Sequence, residues 1–289
     1  MTGPFDTMIV VDWSASAAPS PARPSKDAIW IGVCGAGGES ATYHRTRAAA
    51  EAALVARLEA EALAGRRVLA GFDFPMGYPA GFAGRLAGAA QARAVWDWLA
   101  SRVEDGPRNR NNRFALAQTI NRMFTAPGPF WGRPAGRDLP DLPQRKTVDY
   151  PGLGLAERRR VEDFVPRAQP VWKLFTAGSV GSQALMGMPM IARLARRAAV
   201  WPFEPATGPL VLAEVYPSLI DAAVAPAVAG GREIKDKAQV RLLARAFWAL
   251  SQAGTLDRLL HDVPDWPDRQ EEGWILGAGH EAALLAALQ

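Results

Sequence analysis

Three short apolar segments near the start of the chain each predict a β-strand. Residues 8–13 (MIVVDW), 28–36 (AIWIGVCGA) and 41–46 (ATYHRT) are rich in β-branched and aromatic residues, and Pro, Ser and Gly separate them. Because so little chain lies between them, we expect an antiparallel meander. Residues 47–64 then repeat apolar positions with helical spacing and end at Gly65, which predicts a helix.

The strand pattern returns at two later places in the chain. Residues 66–75 (RRVLAGFDFP) predict a fourth strand that ends at Asp73, and residues 209–218 (PLVLAEVYPS) predict a fifth. A helix is predicted over residues 236–251. The order β-β-β-α-β, a long insertion, then β-α is the order of a ribonuclease H-like core. The predicted fold class is therefore α/β, with a ribonuclease H-like mixed sheet.

The middle of the chain has a looser pattern. Residues 76–205 contain many prolines and glycines, with helical pieces separated by irregular stretches. Long stretches without periodicity in a compact protein are usually functional. We therefore predict a core made of residues 1–75 and 206–289, interrupted by a large, mostly helical insertion over residues 76–205.

Composition restricts the class of protein. With 289 residues, 49% of them hydrophobic and 21% charged, the chain has the profile of a globular protein. It has no apolar run of membrane-spanning length and no secretory signal pattern, so we expect a cytoplasmic protein that does not contact a membrane. The single cysteine, Cys34, excludes an internal disulfide and a cysteine-based zinc cluster.

The charge is distributed unevenly. The net charge is +4, but residues 101–200 carry 17 Lys and Arg against 8 Asp and Glu, while the rest carries 16 against 21. A basic middle segment favours an anionic partner, either a nucleic acid or a phosphate-containing small molecule. The alternative is that these arginines are scattered over a solvated surface.

Four acidic residues lie at the ends of predicted core elements. Asp12 and Asp73 end strands, Glu214 lies near the end of a strand, and Asp236 opens the last core helix on the side of Val240. In an open α/β sheet, ligands bind at the carboxyl ends of the strands. We therefore predict that the four acids meet at one edge of the sheet and form the catalytic set.

Neighbouring carboxylates repel each other, and a divalent cation removes that repulsion. Mg²⁺ and Mn²⁺ prefer oxygen ligands, so we predict one of these ions, held by Asp12, Asp73 and Asp236. Glu214 would assist or orient water. Each acid also has a structural alternative: a turn residue for Asp12 and Asp73, an ion pair with an arginine of the insertion for Glu214, and a helix N-terminal residue for Asp236.

Two segments of the insertion carry groups suited to phosphate. Residues 107–113 (PRNRNNR) combine arginines with asparagines, and residues 172–189 (WKLFTAGSVGSQALMGMP) place a Gly- and Ser-rich turn before a helical run. The predicted substrate-binding residues are Arg108, Arg110, Arg113, Lys173, Ser179 and Ser182. The alternatives are a solvated loop for the first segment and a packed helix for the second. The consecutive arginines 158–160 are expected to be solvated.

Several of these motifs resemble one known family. The stretches VDWSAS around Asp12, GFDFPMGYP around Asp73, AEVYPS around Glu214 and IKDKAQ around Asp236 look like the DUF429 family of uncharacterised bacterial proteins. LAERRR and TAGSVGSQALMGMP extend the likeness into the insertion. The resemblance implies a ribonuclease H-like nuclease fold with an acidic site at Asp12, Asp73 and Asp236. Many relatives carry a second acid one turn further along the last helix, where this chain reads Ala-Gln-Val, which weakens a strict two-metal site.

The function expected from the sequence is divalent-metal-dependent, nuclease-like hydrolysis of a phosphodiester in a nucleic acid or nucleotide. One alternative is a non-catalytic module that binds nucleic acid or nucleotide, which would need no converging acids. Another is an actin-like phosphotransferase, although the first loop, SAAPSPARPSKD, lacks the glycines of a phosphate loop. A nucleotide-handling enzyme of cofactor synthesis is a further alternative.

Overall fold

A mixed seven-stranded sheet with helices on both faces organises this α/β protein. The computed structural model describes residues 3–124 and 127–289. The strands are β1 (Thr7–Asp12), β2 (Ile29–Gly35), β3 (Gly38–His44), β4 (Val68–Phe72), β5 (Ala199–Trp201), β6 (Leu210–Val215) and β7 (Ile275–Leu276). The helices are α1 (Arg47–Leu63), α2 (Phe82–Ala87), α3 (Ala92–Ala100), α4 (Arg113–Asn121), α5 (Arg160–Phe164), α6 (Val180–Leu194), α7 (Asp221–Val228), α8 (Lys235–Gln252), α9 (Leu256–His261), α10 (Arg269–Glu272) and α11 (Glu281–Ala286). Within the described ranges, no helix combines the length and the apolar character needed to cross a membrane.

The strand order is β3-β2-β1-β4-β6-β5, and β7 also pairs with β6. Strands β1, β2 and β3 form the predicted antiparallel meander, and helix α1 follows them as predicted. Strand β4 then lies parallel to both β1 and β6. The carboxyl ends of β1, β4 and β6 therefore lie at the same edge of the sheet.

Helix α8 covers one face of the sheet and lies almost directly on β2. A Cβ atom on Gly32 would come within 2.4 Å of the backbone carbonyl carbon of Val240. Only glycine allows this approach, because backbone atoms cannot move aside as a side chain can. The close packing fixes the first turn of α8, which carries Asp236, against the sheet.

The opposite face is covered by α1 and by the helices of the insertion. Ile9, Val11 and Phe72 of the sheet share one hydrophobic cluster with residues of α3, α4 and α6. Helix α6 passes so close to Phe74 that a Cβ atom on Gly187 would lie 2.3 Å from the phenyl ring. The segment that directly follows β4 is thus packed against α6.

Two strands were not predicted. Strand β5 lies inside the segment 76–205 and has only three residues, and β7 has two. Both pair with β6, so they complete the sheet on that side. Because segment 76–205 contributes β5 and shares the hydrophobic cluster of the sheet, it packs as part of one core.

Candidate functional site

Asp12 and Asp73 are brought side by side by the register of two parallel strands. Strands β1 and β4 pair Val11 with Phe72, so the next residues on each strand are Asp12 and Asp73. The Asp73 amide continues the ladder by donating to the Val11 carbonyl at 3.1 Å. Since Val11 and Phe72 face α1 and the insertion, the alternation of a strand directs both carboxylates to the face covered by α8.

The two carboxyl groups are hydrogen-bonded to each other. Burial raises the pKa of Asp73 to about 7, and burial together with the neighbouring Asp73 raises the pKa of Asp12 well above its ordinary value of 3.8. The Trp13 amide donates to Asp73 Oδ1 at 2.7 Å and holds that carboxyl group in place. Two carboxylates in this position share a proton unless a cation lies between them.

Asp236 adds negative charge beside this pair. It lies in the first turn of α8, and its Oδ2 accepts a hydrogen bond from the Asp27 amide at 2.6 Å. Burial raises the pKa of Asp236, and its charge contributes to the raised pKa values of Asp12 and Asp73. The structure therefore brings the three predicted metal ligands into one electrostatic cluster.

The three carboxylates do not converge on one position where a single ion could bind all of them. Across residues 3–124 and 127–289, no three His, Cys, Asp or Glu side chains converge closely enough to hold one metal ion. The Asp236 carboxylate is occupied by the Asp27 amide, which leaves Asp12 and Asp73 as the pair in direct contact. Mg²⁺ is often held by one or two carboxylates, with water and substrate oxygens as its other ligands.

A cavity of about 450 Å³ lies beside the acids. Half of the predicted site residues line it, namely Asp12, Arg113, Ser179, Ser182 and Asp236. The remaining lining comes from the loop 13–16, from Asp27, from residues 174–178 and from Gln183. Groups from both core and insertion thus form one concave site of the size usual for small ligands.

Arg113 is a buried cation without a carboxylate partner in the described parts of the chain. Its side chain lies at the start of α4; Nε donates to Ser182 Oγ at 3.0 Å and Nη1 to Asn111 Oδ1 at 2.8 Å. The residue is only 8% exposed. Burial, with smaller contributions from the positive charges of Arg47 and Arg137, lowers the pKa of Arg113 to about 10.

Three other predicted cationic residues do not line the cavity. Arg108 and Arg110 are exposed and do not line it. The Lys173 ammonium group donates to the Ala177 carbonyl at 2.6 Å, so it braces the turn before α6. Of the arginines in the segment 107–113, Arg113 is therefore the one that the fold brings to the acids' cavity.

Glu214 also lies away from the cavity. Its carboxylate forms a two-pronged ion pair with Arg159, at 2.6 and 2.8 Å, and accepts the Met76 amide at 2.9 Å. Register explains this position: β6 pairs Glu214 with Phe72, so Glu214 faces away from Asp73. The structure thus has the ion pair that the sequence left open as the alternative for Glu214.

Arg159 was expected to be solvated, and that expectation is wrong. Its side chain is buried between the carboxylates of Glu214 and Glu162, which compensate its charge. The ion pairs tie the insertion to the inner strand β6. The same segment therefore supplies structural support rather than a surface clamp.

Two residues that position the loop after β1 were not predicted from the sequence. Arg47 is buried and donates from Nη1 to the carbonyls of Ser14 and Ser16, at 2.9 and 2.8 Å, which fixes the loop after β1. Gln183 donates from Nε2 to the Trp13 carbonyl at 2.6 Å, next to the amide that holds Asp73. Arg47 begins an Ala-rich helix, and nothing local signals that its partners lie in another loop.

Comparisons of this chain with protein families, with curated proteins and with solved structures found no match.

Proposed function

We propose that this protein is a divalent-metal-dependent phosphodiesterase, nuclease-like in its chemistry, that acts on a nucleic acid or a nucleotide. The observation that carries the proposal is the direct contact between the Asp12 and Asp73 carboxyl groups at the edge of a cavity. Buried carboxylates normally have a cationic partner. The charges that act most on this pair come from other aspartates, Asp236 and Asp27, so the cluster has an excess of negative charge.

The donor set suits Mg²⁺ or Mn²⁺, because both ions prefer carboxylate and water oxygens. Asp12 and Asp73 would hold the ion, and Asp236 would add to the negative field that attracts it. When bound, such an ion lowers the pKa of a water ligand and stabilises negative charge that develops on a phosphate. Two protein carboxylates leave coordination positions for water and substrate, which fits the absence of a third converging ligand among the described residues.

The other residues of the cavity would bind and orient the substrate. Trp13 holds Asp73 through its backbone amide, and Gln183 holds Trp13 through its carbonyl. Arg113 presents a guanidinium group to the same cavity, where it would bind a phosphate oxygen. Positive and negative groups facing one cavity suit a ligand that is anionic and binds a metal.

We also propose that the sheet is a ribonuclease H-like core. A three-strand meander, a helix and a crossover strand β4 that pairs with β1 agree with a ribonuclease H-like core. Acids at the ends of β1 and β4 occupy the edge where such a core would carry its site. The likeness of the VDWSAS and GFDFPMGYP motifs to the DUF429 family supports the same assignment.

Calorimetric titration with Mn²⁺ tests the proposal. We expect wild-type protein to bind Mn²⁺ and the variants Asp12→Asn and Asp73→Asn to lose that binding while circular dichroism shows them folded. Asp265→Asn is the matched control, because its carboxylate is 95% exposed and lies outside the cavity lining. Hydrolysis of bis(4-nitrophenyl) phosphate should then require Mn²⁺ and both aspartates.

No binding by folded wild-type protein at millimolar Mn²⁺ would overturn the metal mechanism. Binding of Mn²⁺ without hydrolysis of this phosphodiester or of a nucleic acid would instead favour a non-catalytic binding module. Both outcomes are read on the same protein preparation.

A further inference from the structure

The cavity beside Asp12 contains a buried positive charge that no described carboxylate neutralises. Arg113 is 8% exposed, and the charged groups that most shift its pKa are two further arginines, Arg47 and Arg137. A buried charge is costly unless it is paired. Since Arg113 lines an open cavity, an anionic group of a ligand can supply the missing partner.

The guanidinium group is held ready for such a partner. Ser182 Oγ accepts from Nε, and Ser182 in turn donates to the Leu174 carbonyl at 2.6 Å, so the hydroxyl is fixed. Asn111 accepts from Nη1, while Nη2 donates to no described residue. A guanidinium group with a fixed orientation and a free nitrogen is suited to a phosphate oxygen.

The beginning of α6 adds donors at the same cavity. The backbone amides of Gly178, Ser179 and Val180 donate no hydrogen bond to any described residue, and Gly178 and Ser179 line the cavity. Free amides at the N-terminus of a helix attract anions. The helix has 15 residues, so its dipole is fully developed.

An exposed aromatic ring lies at the same cavity. Phe175 is 44% exposed and meets Phe114 edge-to-face, with ring centroids 6.3 Å apart. An exposed phenyl ring beside polar and charged groups offers a stacking surface for a nucleic-acid base. The cavity therefore combines a site for phosphate with a site for a planar ring.

The size of the cavity and the positions of the other predicted cationic residues favour a small ligand over a polymer. A volume of about 450 Å³ is in the range of small-molecule sites. Arg108 and Arg110 do not line the cavity, and the Lys173 ammonium group is hydrogen-bonded to the Ala177 carbonyl. These predicted cationic residues therefore do not form a continuous row that leads away from the cavity. A polynucleotide site needs several phosphate contacts along a groove.

We infer that the cavity binds a single nucleotide-sized phosphate ester, with Arg113 and the start of α6 on the phosphate and Phe175 against the planar ring. This inference rests on the proposed function and narrows its substrate from nucleic acid or nucleotide to a small nucleotide phosphodiester. Asp12 and Asp73 would hold the metal next to the phosphate.

Adenosine 5′-monophosphate, which carries the phosphate and the planar ring but no diester bond, is the binding probe, titrated by calorimetry into protein saturated with Mn²⁺. We expect Arg113→Gln to weaken its binding by about 10- to 100-fold, the loss usual for a charge-assisted hydrogen bond, without weakening Mn²⁺ binding. Arg108→Gln and Arg110→Gln are matched controls from the same segment and should bind as the wild type does. Phe175→Ala should weaken binding as well, whereas Phe164→Ala, another exposed phenylalanine outside the lining, should not.

A second pair of variants keeps the assignment of Arg113 testable if Arg113→Gln misfolds. If Arg113→Gln does not fold, Ser182→Ala removes the acceptor that orients Arg113, and Arg113→Lys keeps the charge without the planar fork. Both should weaken nucleotide binding by about 3- to 30-fold. Unchanged binding in both folded variants would overturn the assignment of Arg113.

A single-stranded oligonucleotide of about twelve nucleotides separates the two substrate classes. We expect it to bind no more tightly than the mononucleotide. Much tighter binding that falls steeply with salt and is weakened by Arg108→Gln and Arg110→Gln would overturn the inference in favour of a polynucleotide. Absence of nucleotide binding to Mn²⁺-loaded protein would overturn the inference alone, whereas absence of Mn²⁺ binding would overturn the proposed function.

Discussion

Replacing Asp12 by asparagine should make the folded protein more stable while it removes the proposed metal site. The carboxyl groups of Asp12 and Asp73 are in contact, so their charges repel each other when both are ionised. Asparagine has nearly the same shape, and its amide nitrogen can donate to Asp73 without a shared proton. The substitution therefore removes a repulsion and keeps a hydrogen bond.

The pKa of Asp73 gives the scale of the penalty for an ionised carboxylate at this site, and Asp12 carries a penalty of the same kind, because burial and the charge of Asp73 raise its pKa. The pKa of Asp73 in the folded protein is about 7, against an ordinary value of 3.8, a difference of about 3 units. One unit corresponds to about 1.4 kcal/mol, so an ionised Asp73 costs the folded protein at most about 4 kcal/mol above pH 7, mainly because burial removes its carboxylate from water and secondarily because of the charge of Asp236. Both residues are half-buried, so water screens their charges in part, and we expect removal of the Asp12 charge to gain about 1–3 kcal/mol.

The gain should depend on pH with a defined sign. Because the folded state binds the proton more tightly than the unfolded state, the free energy of unfolding of the wild type falls as pH rises from about 4 to 7. Below that window the carboxyl groups are protonated in both states, and the penalty disappears. The stabilisation by Asp12→Asn is therefore expected at about pH 8 and should be small at about pH 4.

Urea denaturation at about pH 8 and about pH 4, with and without Mn²⁺, measures this effect. Mn²⁺ should raise the unfolding midpoint of the wild type at the higher pH and leave Asp12→Asn unchanged. Asp265→Asn serves as the control for loss of one exposed carboxylate. An Asp12→Asn protein that is less stable than wild type at pH 8, or equally stabilised at both pH values, would refute the reasoning.

Two further substitutions test the close packing of α8 and the Arg159–Glu214 ion pair, which support the site. Gly32→Ala should destabilise the protein by about 1–3 kcal/mol and weaken Mn²⁺ binding, because a Cβ atom 2.4 Å from the Val240 backbone pushes α8 and its first turn off the sheet. Thermal melting measures the loss of stability, and calorimetry measures the loss of Mn²⁺ binding. An unchanged melting temperature would contradict the packing argument. Arg159→Met should lower the free energy of unfolding, measured by urea denaturation, by about 3–5 kcal/mol, because it leaves Glu214 buried without its arginine partner. The folded fraction of this variant should bind Mn²⁺ normally. Loss of Mn²⁺ binding by folded protein would instead place Glu214 in the metal site.

The sequence predicted the elements that carry the acids because their hydrophobic pattern is strong. Strands β1 and β4 are runs of buried residues that end at a turn, so Asp12 and Asp73 could be placed at strand ends directly. Strand β5 has only three residues within a segment rich in arginine and proline, too few to show alternation. Its place in the sheet comes from pairing with β6, which is a tertiary contact.

Glu214 shows why a shared strand end does not make a shared site. Its position close to the end of β6 was predicted correctly, but one residue decides the face of a strand. Pairing with Phe72 places Glu214 on the opposite face from Asp73, and Val215 occupies the position beside Asp73. The exact register of β6 against β4 is set by packing, and the motif AEVYPS alone does not reveal it.

The basic insertion depends even more on tertiary structure. Arg108, Arg110 and Arg113 lie within six residues, yet only Arg113 enters the cavity, because α4 begins at that residue and directs it toward Ser182. Among the described residues, Arg113 has no carboxylate partner, and Asp12 and Asp73 form no ion pair with a basic side chain; either arrangement is unfavourable for folding alone. Both lie beside one cavity, which is the arrangement expected if the protein binds the anionic, metal-associated ligand that we propose.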